Sequence, residues 1–330
     1  MPELRIDPLT GHRTLIAGER SRRPGGHPSC TPADTIDVET DPFAEGNEDR
    51  TPPELYALRD AGSAPDSPGW RVRVVPNLYP ALGPGVPREA PAEGGRGMPE
   101  LLLELPATGA HEVIVNAPDP VVSLAELDVG QVVDAVDVWR ERMRAHAGRR
   151  CVQLIVNERR EAGASLPHTH AQLYALDFVP AALARERERA AAYWTRTMGR
   201  DLAADMLAEE VRRNERVIAI DEEAVLLAPW ASRLPFQMTL LPRVARPAFE
   251  APGATGARLL HDALRRLARV YDTTPPLNMY VRTAPEGAEH FCWRIEILPR
   301  LTHLAGLELS TDVNVNIVAP EDAAAALREA

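Results

Sequence analysis

Two imidazoles and a carboxamide fall at alternate positions, His168, His170 and Gln172, at the end of the segment Asn157-Glu-Arg-Arg-Glu-Ala-Gly163-Ala-Ser165-Leu-Pro167-His168-Thr-His170-Ala-Gln172. Successive side chains of a strand point to opposite faces, so these three are expected to share one face. Imidazole is a competent nucleophile near neutral pH because much of it is already unprotonated. Attack on phosphorus then needs mainly positioning and stabilisation of charge. Gln172 suits that task, since its amide donates to a phosphate oxygen but cannot act as a general base, closing one route to hydrolysis of a covalent intermediate. Upstream, Gly163 and Ser165 make a small-residue loop whose backbone N–H groups and hydroxyl can approach phosphate oxygens closely. Taken alone, two histidines on one strand face suit a metal or structural pair as well as a catalytic one.

The surrounding sequence predicts the elements that position this string. Arg71 to Leu82 alternates and ends in Val75-Pro76-Asn77-Leu78-Tyr79-Pro80, a strand running into a proline-bounded turn. A Gly/Pro-rich loop is expected over 83–98, then strands over Leu101 to Leu105 and His111 to Asn116. Ser123-Leu-Ala-Glu126 reads as a capping box, and apolar residues at helical spacing predict a helix from Val129 through Met143, ending near Gly148. Val152 to Val156 and Leu166 to Leu176 read as strands. The second half repeats this grammar more weakly: strands over Val225 to Pro229 and Gln237 to Pro242, a helix over Leu259 to Tyr271, then strands at Asn278 to Arg282 and Phe291 to Leu298. In that alignment Cys292, Arg294 and Glu296 take the places of His168, His170 and Gln172. Ala181 to Val217 is a long helical connection. The expectation is an α+β fold on antiparallel sheet, with an equipped half over 1–180 and an altered half over 181–330, because strands fall in adjacent runs without regular helical crossovers.

Composition narrows the chemistry. The chain has 330 residues, 45% of them hydrophobic, enough for a large core. Its 48 acidic residues outnumber 37 basic ones, which disfavours a general attraction to polynucleotide or to an anionic membrane. Every basic residue is Arg. Schiff-base chemistry, pyridoxal attachment and a Walker-type phosphate loop all need a Lys and are excluded. Cys30, Cys151 and Cys292 are far apart with no CxxC pair, so neither a disulfide framework nor a cysteine-rich zinc module is expected. The polar start and the lack of a long apolar run predict a soluble, cytoplasmic protein.

Four more segments precede the histidine string: Arg5-Ile-Asp-Pro-Leu-Thr-Gly, Glu19-Arg20-Ser-Arg-Arg23-Pro24, Gly46-Asn47-Glu48 with Thr51-Pro52, and Pro76-Asn77-Leu-Tyr-Pro80. With the Gly-x-Ser-x-Pro-His-x-His-x-Gln string they resemble, in family order, the galactose-1-phosphate uridylyltransferase branch of the histidine-triad superfamily. The resemblance spans nearly the whole chain and is much stronger before residue 180. It implies that His170 attacks the α-phosphorus of a nucleoside-diphosphate sugar and becomes nucleotidylated. The sugar 1-phosphate then leaves and a second phosphate-bearing acceptor takes the nucleotide, a ping-pong reaction. It further implies that Gln172, Ser165 and Gly163 hold phosphates and that Asn77 and Asn157 lie near the nucleotide. Arg20 and Arg23 match a pair that reaches the nucleotide site of a homodimer partner, although exposed Arg is also ordinary surface charge.

The chain departs from the family where metals are held. Many members of the family it resembles carry a structural zinc held by a Cys-Pro-x-Cys pair, a distant His and the first His of the string. Here the pair reads Asp41-Pro42-Phe43-Ala44, the distant His aligns with Pro120, and only His168 remains. A structural zinc needs about four ligands, so tight binding is not expected. His27 and Cys30 are the available substitutes. The iron-type site of some relatives aligns with Leu234-Pro235-Phe236-Gln237 and Trp293-Arg294-Ile295-Glu296, where Arg offers no lone pair. An Arg294–Glu296 or Arg294–Gln237 interaction is expected to replace that metal, and the protein is expected to need no cofactor. The segment Glu308-Leu-Ser310-Thr-Asp312-Val-Asn314-Val-Asn316 lacks the aromatic and glycine pattern of hexose-handling relatives, which leaves the sugar open. The leading expectation is uridylyl transfer between sugar 1-phosphates. A nucleotide-sugar phosphorylase preferring ADP-sugars and a non-catalytic nucleotide-binding regulator are the alternatives. A metallohydrolase is disfavoured because no carboxylates stand near the histidines in sequence to complete its site.

Overall fold

A computed structural model describes residues 2–22, 30–33, 35–85 and 104–330. Strands β1 (Glu3–Ile6) and β2 (Arg13–Ile16) open the chain, followed by β3 (Tyr56–Arg59), β4 (Trp70–Pro76) and β5 (Gly109–Val115). Helix α1 (Val129–Ala145) leads to β6 (Cys151–Glu158) and β7 (His170–Leu176). Helices α2 (Ala181–Thr197) and α3 (Leu202–Arg213) precede β8 (Val217–Ile220), β9 (Ala224–Leu227) and β10 (Met238–Pro242). Then come α4 (Ala257–Tyr271), β11 (Leu277–Arg282), β12 (Arg294–Pro299), α5 (Gly306–Thr311), β13 (Val313–Asn316) and α6 (Pro320–Glu329). No described helix is long and apolar enough to cross a membrane.

Ten strands form one sheet in the order β3-β4-β5-β7-β6-β11-β12-β10-β9-β8, antiparallel throughout. Read outward from the centre, each half runs fourth, fifth, third, second, first in its own chain order, with a helix between its third and fourth strands. The two copies meet at β6 and β11, where Asn157 pairs with Asn278. β7 and β12 are therefore equivalent, and His170 and Arg294 begin them. This is the α+β, antiparallel arrangement expected from the sequence.

Binary patterning explains the layers. Along β7, Ala171, Leu173 and Ala175 are buried in the large core, whereas His170, Gln172 and Tyr174 point to the opposite face. Val132, Ala135, Val136, Trp139 and Met143 recur at helical spacing on α1, and Leu260, Ala263, Leu264 and Leu267 do so on α4. Both helices bury these stripes against one face of the sheet, in a single cluster with Ile114, Leu154, Met279 and Ile295. Each such large side chain contributes roughly 1.5–3 kcal/mol of burial free energy.

Several expectations are corrected. Ser123 does not open the long helix: it caps a single 3-10 turn, Leu124–Glu126, while Asp128 caps α1 by accepting from the Gln131 N–H at 3.0 Å. The carboxylate that meets the Ser123 turn is Glu158, which accepts from Ser123 Oγ at 2.6 Å and from the Leu124 N–H at 2.8 Å. Residues 101–103 lie outside the described ones, and Glu104 and Leu105 form no strand, because β5 already pairs with β4 and β7 and offers no free edge. Most of the 83–98 loop likewise lies outside the described residues. The first strands do not stay with their own half. β1 and β2 form a small sheet with β13, and Arg5 reaches Glu321 at 2.9 Å while Thr14 Oγ1 donates to the Ala231 carbonyl at 3.0 Å.

Candidate active site

His170 stands at the first position of β7, paired with Val115 across the ladder. It is 5% exposed and meets the edge of the Phe43 ring at 5.1 Å between centroids. Its Nδ1 lies 2.7 Å from the His168 carbonyl, which can only accept, so the hydrogen sits on Nδ1. The lone pair is left on Nε2. Burial lowers the pKa of this ring below its ordinary 6.5, which outweighs the opposing bond to the His168 carbonyl and keeps the ring neutral.

His168 is not on that strand face, because β7 starts two residues later. It is fully buried, with Nδ1 2.6 Å from Asp41 Oδ2 and Nε2 2.9 Å from the Ala117 carbonyl. The ring is thus fixed at both nitrogens, and its main-chain carbonyl fixes His170. Asp41 is held in turn: its Oδ1 accepts from the Phe43 N–H at 3.0 Å, and Asn47 Nδ2 donates to its carbonyl at 2.8 Å. The Gly46-Asn47-Glu48 segment is the turn that carries Asp41 and Phe43 to the histidines.

Gln172 follows on the same face as His170. Its Oε1 accepts from Tyr174 Oη at 3.0 Å and lies 3.0 Å from His111 Nε2. Asn77 sits beside this group, with Nδ2 3.1 Å from His111 Nε2 and Oδ1 taken by the Tyr79 N–H. Asn157 is half-buried on β6, and its Oδ1 accepts from Asn278 Nδ2 at 2.8 Å, which also donates to the Ala162 carbonyl at 2.7 Å. Gly163 closes the 3-10 turn Arg160–Ala162 with φ 93°, a conformation costly for residues with a Cβ. Ser165 is exposed on the same loop, lining a cavity of about 240 Å³ with Arg159 and Arg160. The structure therefore gathers His170 and Gln172 on one face, with His168 behind them and Asn77 hydrogen-bond-close to His111. Arg20 is exposed on the 3-10 turn Gly18–Arg22, and Arg23 lies outside the described residues.

A family model described as galactose-1-phosphate uridyl transferase, N-terminal domain, matches residues 1–180. The chain belongs to the galactose-1-phosphate uridylyltransferase family. It is a nucleotidyltransferase family, and a second model, a domain of unknown function (DUF4921), matches residues 130–329. An ADP-glucose phosphorylase of Arabidopsis thaliana is 27% identical over 99% of this chain and 93% of its own length. The solved structure of an Arabidopsis thaliana ADP-glucose phosphorylase with bound ADP-glucose is similar with a TM-score of 0.80, at 26% identity over 100% of this chain and 99% of that one. A galactose-1-phosphate uridylyltransferase of Thermotoga maritima is 26% identical over 100% of this chain and 98% of its own.

At the positions that the resemblance assigns to metals, the side chains of this uridylyltransferase-family chain bond to one another and to the main chain. Both His168 nitrogens already face oxygen, and Phe43 fills space beside both histidines. Cys30 Sγ is instead 3.2 Å from Arg159 Nη1, and His27 lies outside the described residues. In the second half, Arg294 Nε donates to Glu296 Oε1 at 2.7 Å and Arg294 Nη2 to Glu186 Oε2 at 2.8 Å. Gln237 Nε2 donates to the same Glu296, so the expected Arg294–Glu296 bond is present and Gln237 joins through Glu296. Among the described residues, no group of three or more His, Cys, Asp or Glu side chains is arranged to hold a metal.

Sequence reasoning missed His111, Tyr174, Asn278, Glu186 and Arg159. Tyr174 was signalled by its alternation with His170 and Gln172. His111 and Asn278 come in by sheet pairing and Glu186 from helix α2, whereas Arg159 lies in the motif segment itself. Arg159 has φ 71° and donates to the Thr31, Pro32 and Thr274 carbonyls, tying residues 31 and 32 to the loop before Gly163.

Proposed function

We propose that this chain moves a nucleoside monophosphate from a nucleoside-diphosphate sugar to a second phosphate-bearing acceptor through a covalent nucleotidyl-histidine on His170. The observation that carries the reading is the His170 tautomer: Nδ1–H donates to the His168 carbonyl, which leaves Nε2 as a buried, neutral nucleophile. Nε2 attacks the α-phosphorus, and the bond to the sugar 1-phosphate breaks, its electron pair leaving with the departing phosphate. The ring now carries positive charge, which the His168 carbonyl stabilises through Nδ1–H. An oxygen of the acceptor phosphate then attacks the same phosphorus and the P–N bond breaks, restoring neutral His170. Gln172 donates to a phosphoryl oxygen, Gly163 and Ser165 receive the remaining phosphate, and Asn77 and Asn157 face the nucleotide. The scheme uses no metal, and Asp41 anchors His168 through its Nδ1. In a homodimer Arg20 reaches the nucleotide of the other protomer.

In the first reading the nucleotide is uridylyl and the acceptor a sugar 1-phosphate. The near-full-length likeness to ADP-glucose phosphorylase favours a second one, an adenylyl donor with inorganic phosphate as acceptor. Intact-protein mass spectrometry after brief incubation with UDP-, ADP- and GDP-sugars tests the shared step and names the base. A nucleoside-monophosphate adduct absent from His170→Ala is the expected result. No adduct with any donor would replace this reading with a nucleotide-binding regulator. Release of the adduct by phosphate or by sugar 1-phosphates then distinguishes the two acceptors.

A further inference from the structure

An amide such as Gln172 serves a phosphoryl group only if its nitrogen, not its oxygen, faces the ligand. The chain fixes that choice from a backbone group 91 residues earlier. The Ala81 N–H donates to His111 Nδ1 at 3.1 Å, so that nitrogen carries no hydrogen. The neutral ring must then carry its hydrogen on Nε2, where burial, outweighing the bond to Gln172, holds the pKa below its ordinary value. Nε2–H therefore donates to the atom 3.0 Å away, which has to be the oxygen of Gln172. Tyr174 Oη donates to the same oxygen at 3.0 Å, and its ring stacks on His111 at 4.0 Å between centroids. With its oxygen doubly occupied, Gln172 presents its NH2 group away from His111 and Tyr174. Asn77 Nδ2 meets the His111 hydrogen as donor against donor, so that amide also keeps its hydrogens for another acceptor.

We infer that His111 and Tyr174 are positioning residues that lock the Gln172 carboxamide with its nitrogen toward the transferred phosphoryl group. The second half supports a built-in role for these ladder positions. Gln172 pairs with Val113 and Glu296 with Thr239, and two residues before each partner stand His111 and Gln237. Gln237 bonds Glu296 there, as His111 bonds Gln172 here.

This inference rests on the nucleotidyl-transfer reading for its consequence but not for its geometry, so two measurements separate them. The chain has four glutamines, Gln131, Gln153, Gln172 and Gln237, and selective nitrogen-15 labelling resolves their side-chain amides. Gln172→Ala assigns the signal. Tyr174→Phe, which keeps the ring stack, and His111→Ala are each expected to move the Gln172 amide resonances and leave the other three in place. Unmoved Gln172 resonances overturn the lock whether or not the chain is an enzyme. The second measurement is the single-turnover rate of His170 nucleotidylation at saturating nucleotide sugar. Each substitution is expected to slow it about three- to tenfold with little change in donor affinity, the effect of one lost hydrogen bond. In a Gln172→Ala background neither should slow it further. Equal losses in both backgrounds would overturn the positioning role, and a wild-type protein that forms no adduct would instead sink the parent reading.

Discussion

His170 and Arg294 begin equivalent strands of two copies of one topology, yet their surroundings differ in sign and in closure. In the first half, among the described residues, no hydrogen bond occupies the His170 Nε2 lone pair or the Gln172 nitrogen. In the second half the same face is shut by a charge network, Glu186–Arg294–Glu296, with Thr239 and Gln237 satisfying the remaining carboxylate oxygen. Burial alone would lower the Arg294 pKa, but the Glu186 and Glu296 carboxylates outweigh it and raise it. Burial would raise the Glu296 pKa, but the Arg294 guanidinium beside it outweighs this and holds the carboxyl below its usual range. One ladder position thus carries a neutral imidazole in one half and a buried charge network in the other.

The sharpest way to break this comparison is to exchange the two losses. His170→Ala should reduce turnover on the order of 10⁴-fold or more while leaving the urea midpoint close to wild type. A variant with substantial activity would remove His170 from the chemistry. Arg294→Met should do the reverse, because it strands two buried carboxylates. A loss of about 3–5 kcal/mol in urea unfolding is expected, with the rate per folded molecule nearly kept. Unchanged stability would mean that the network is not a strut.

Asn278→Ala probes what the second half contributes to the first. It removes the bonds to Asn157 and to the Ala162 carbonyl, and a five- to tenfold rise in KM for the nucleotide sugar is expected, about 1 kcal/mol. Wild-type KM would make the central strand pairing purely structural. The smallest effect concerns pH. Because burial depresses the His170 pKa, the acid limb of single-turnover adduct formation should lie below 6.5. The folded state binds this proton less tightly than the unfolded one, so the associated stability is full above about 6.5 and falls as pH drops through the folded value. An acid limb at or above 6.5 that vanishes with the histidine would contradict the buried, neutral ring.

Much of this was legible along the chain. Alternation in His170-Ala-Gln172-Leu-Tyr174 put the right residues on one face, and the weaker repeat correctly matched Arg294 and Glu296 to His170 and Gln172. Alternation failed at His168, because Pro167 and the buried contacts of His168 keep the chain out of the ladder until His170. The capping box at Ser123 failed for a similar reason. Its Ser caps only a short 3-10 turn, and Glu158, 35 residues away, accepts from the Ser123 hydroxyl and the Leu124 N–H there.

Residue order alone put His170 and Gln172 on one strand face, excluded lysine chemistry and showed the loss of the cysteine ligands, because each depends only on which side chains exist and on a period of two. Tertiary structure decided the rest: the His170 tautomer, the Asp41 anchor, the orientation of Gln172 and the link from Asn278 to Asn157. The tautomer is set by a carbonyl two residues away once β7 fixes the backbone, and the others depend on hydrogen bonds between groups 61 to more than a hundred residues apart. A hydrogen bond is specified by distance and direction in space, and strand register, not sequence neighbourhood, sets both.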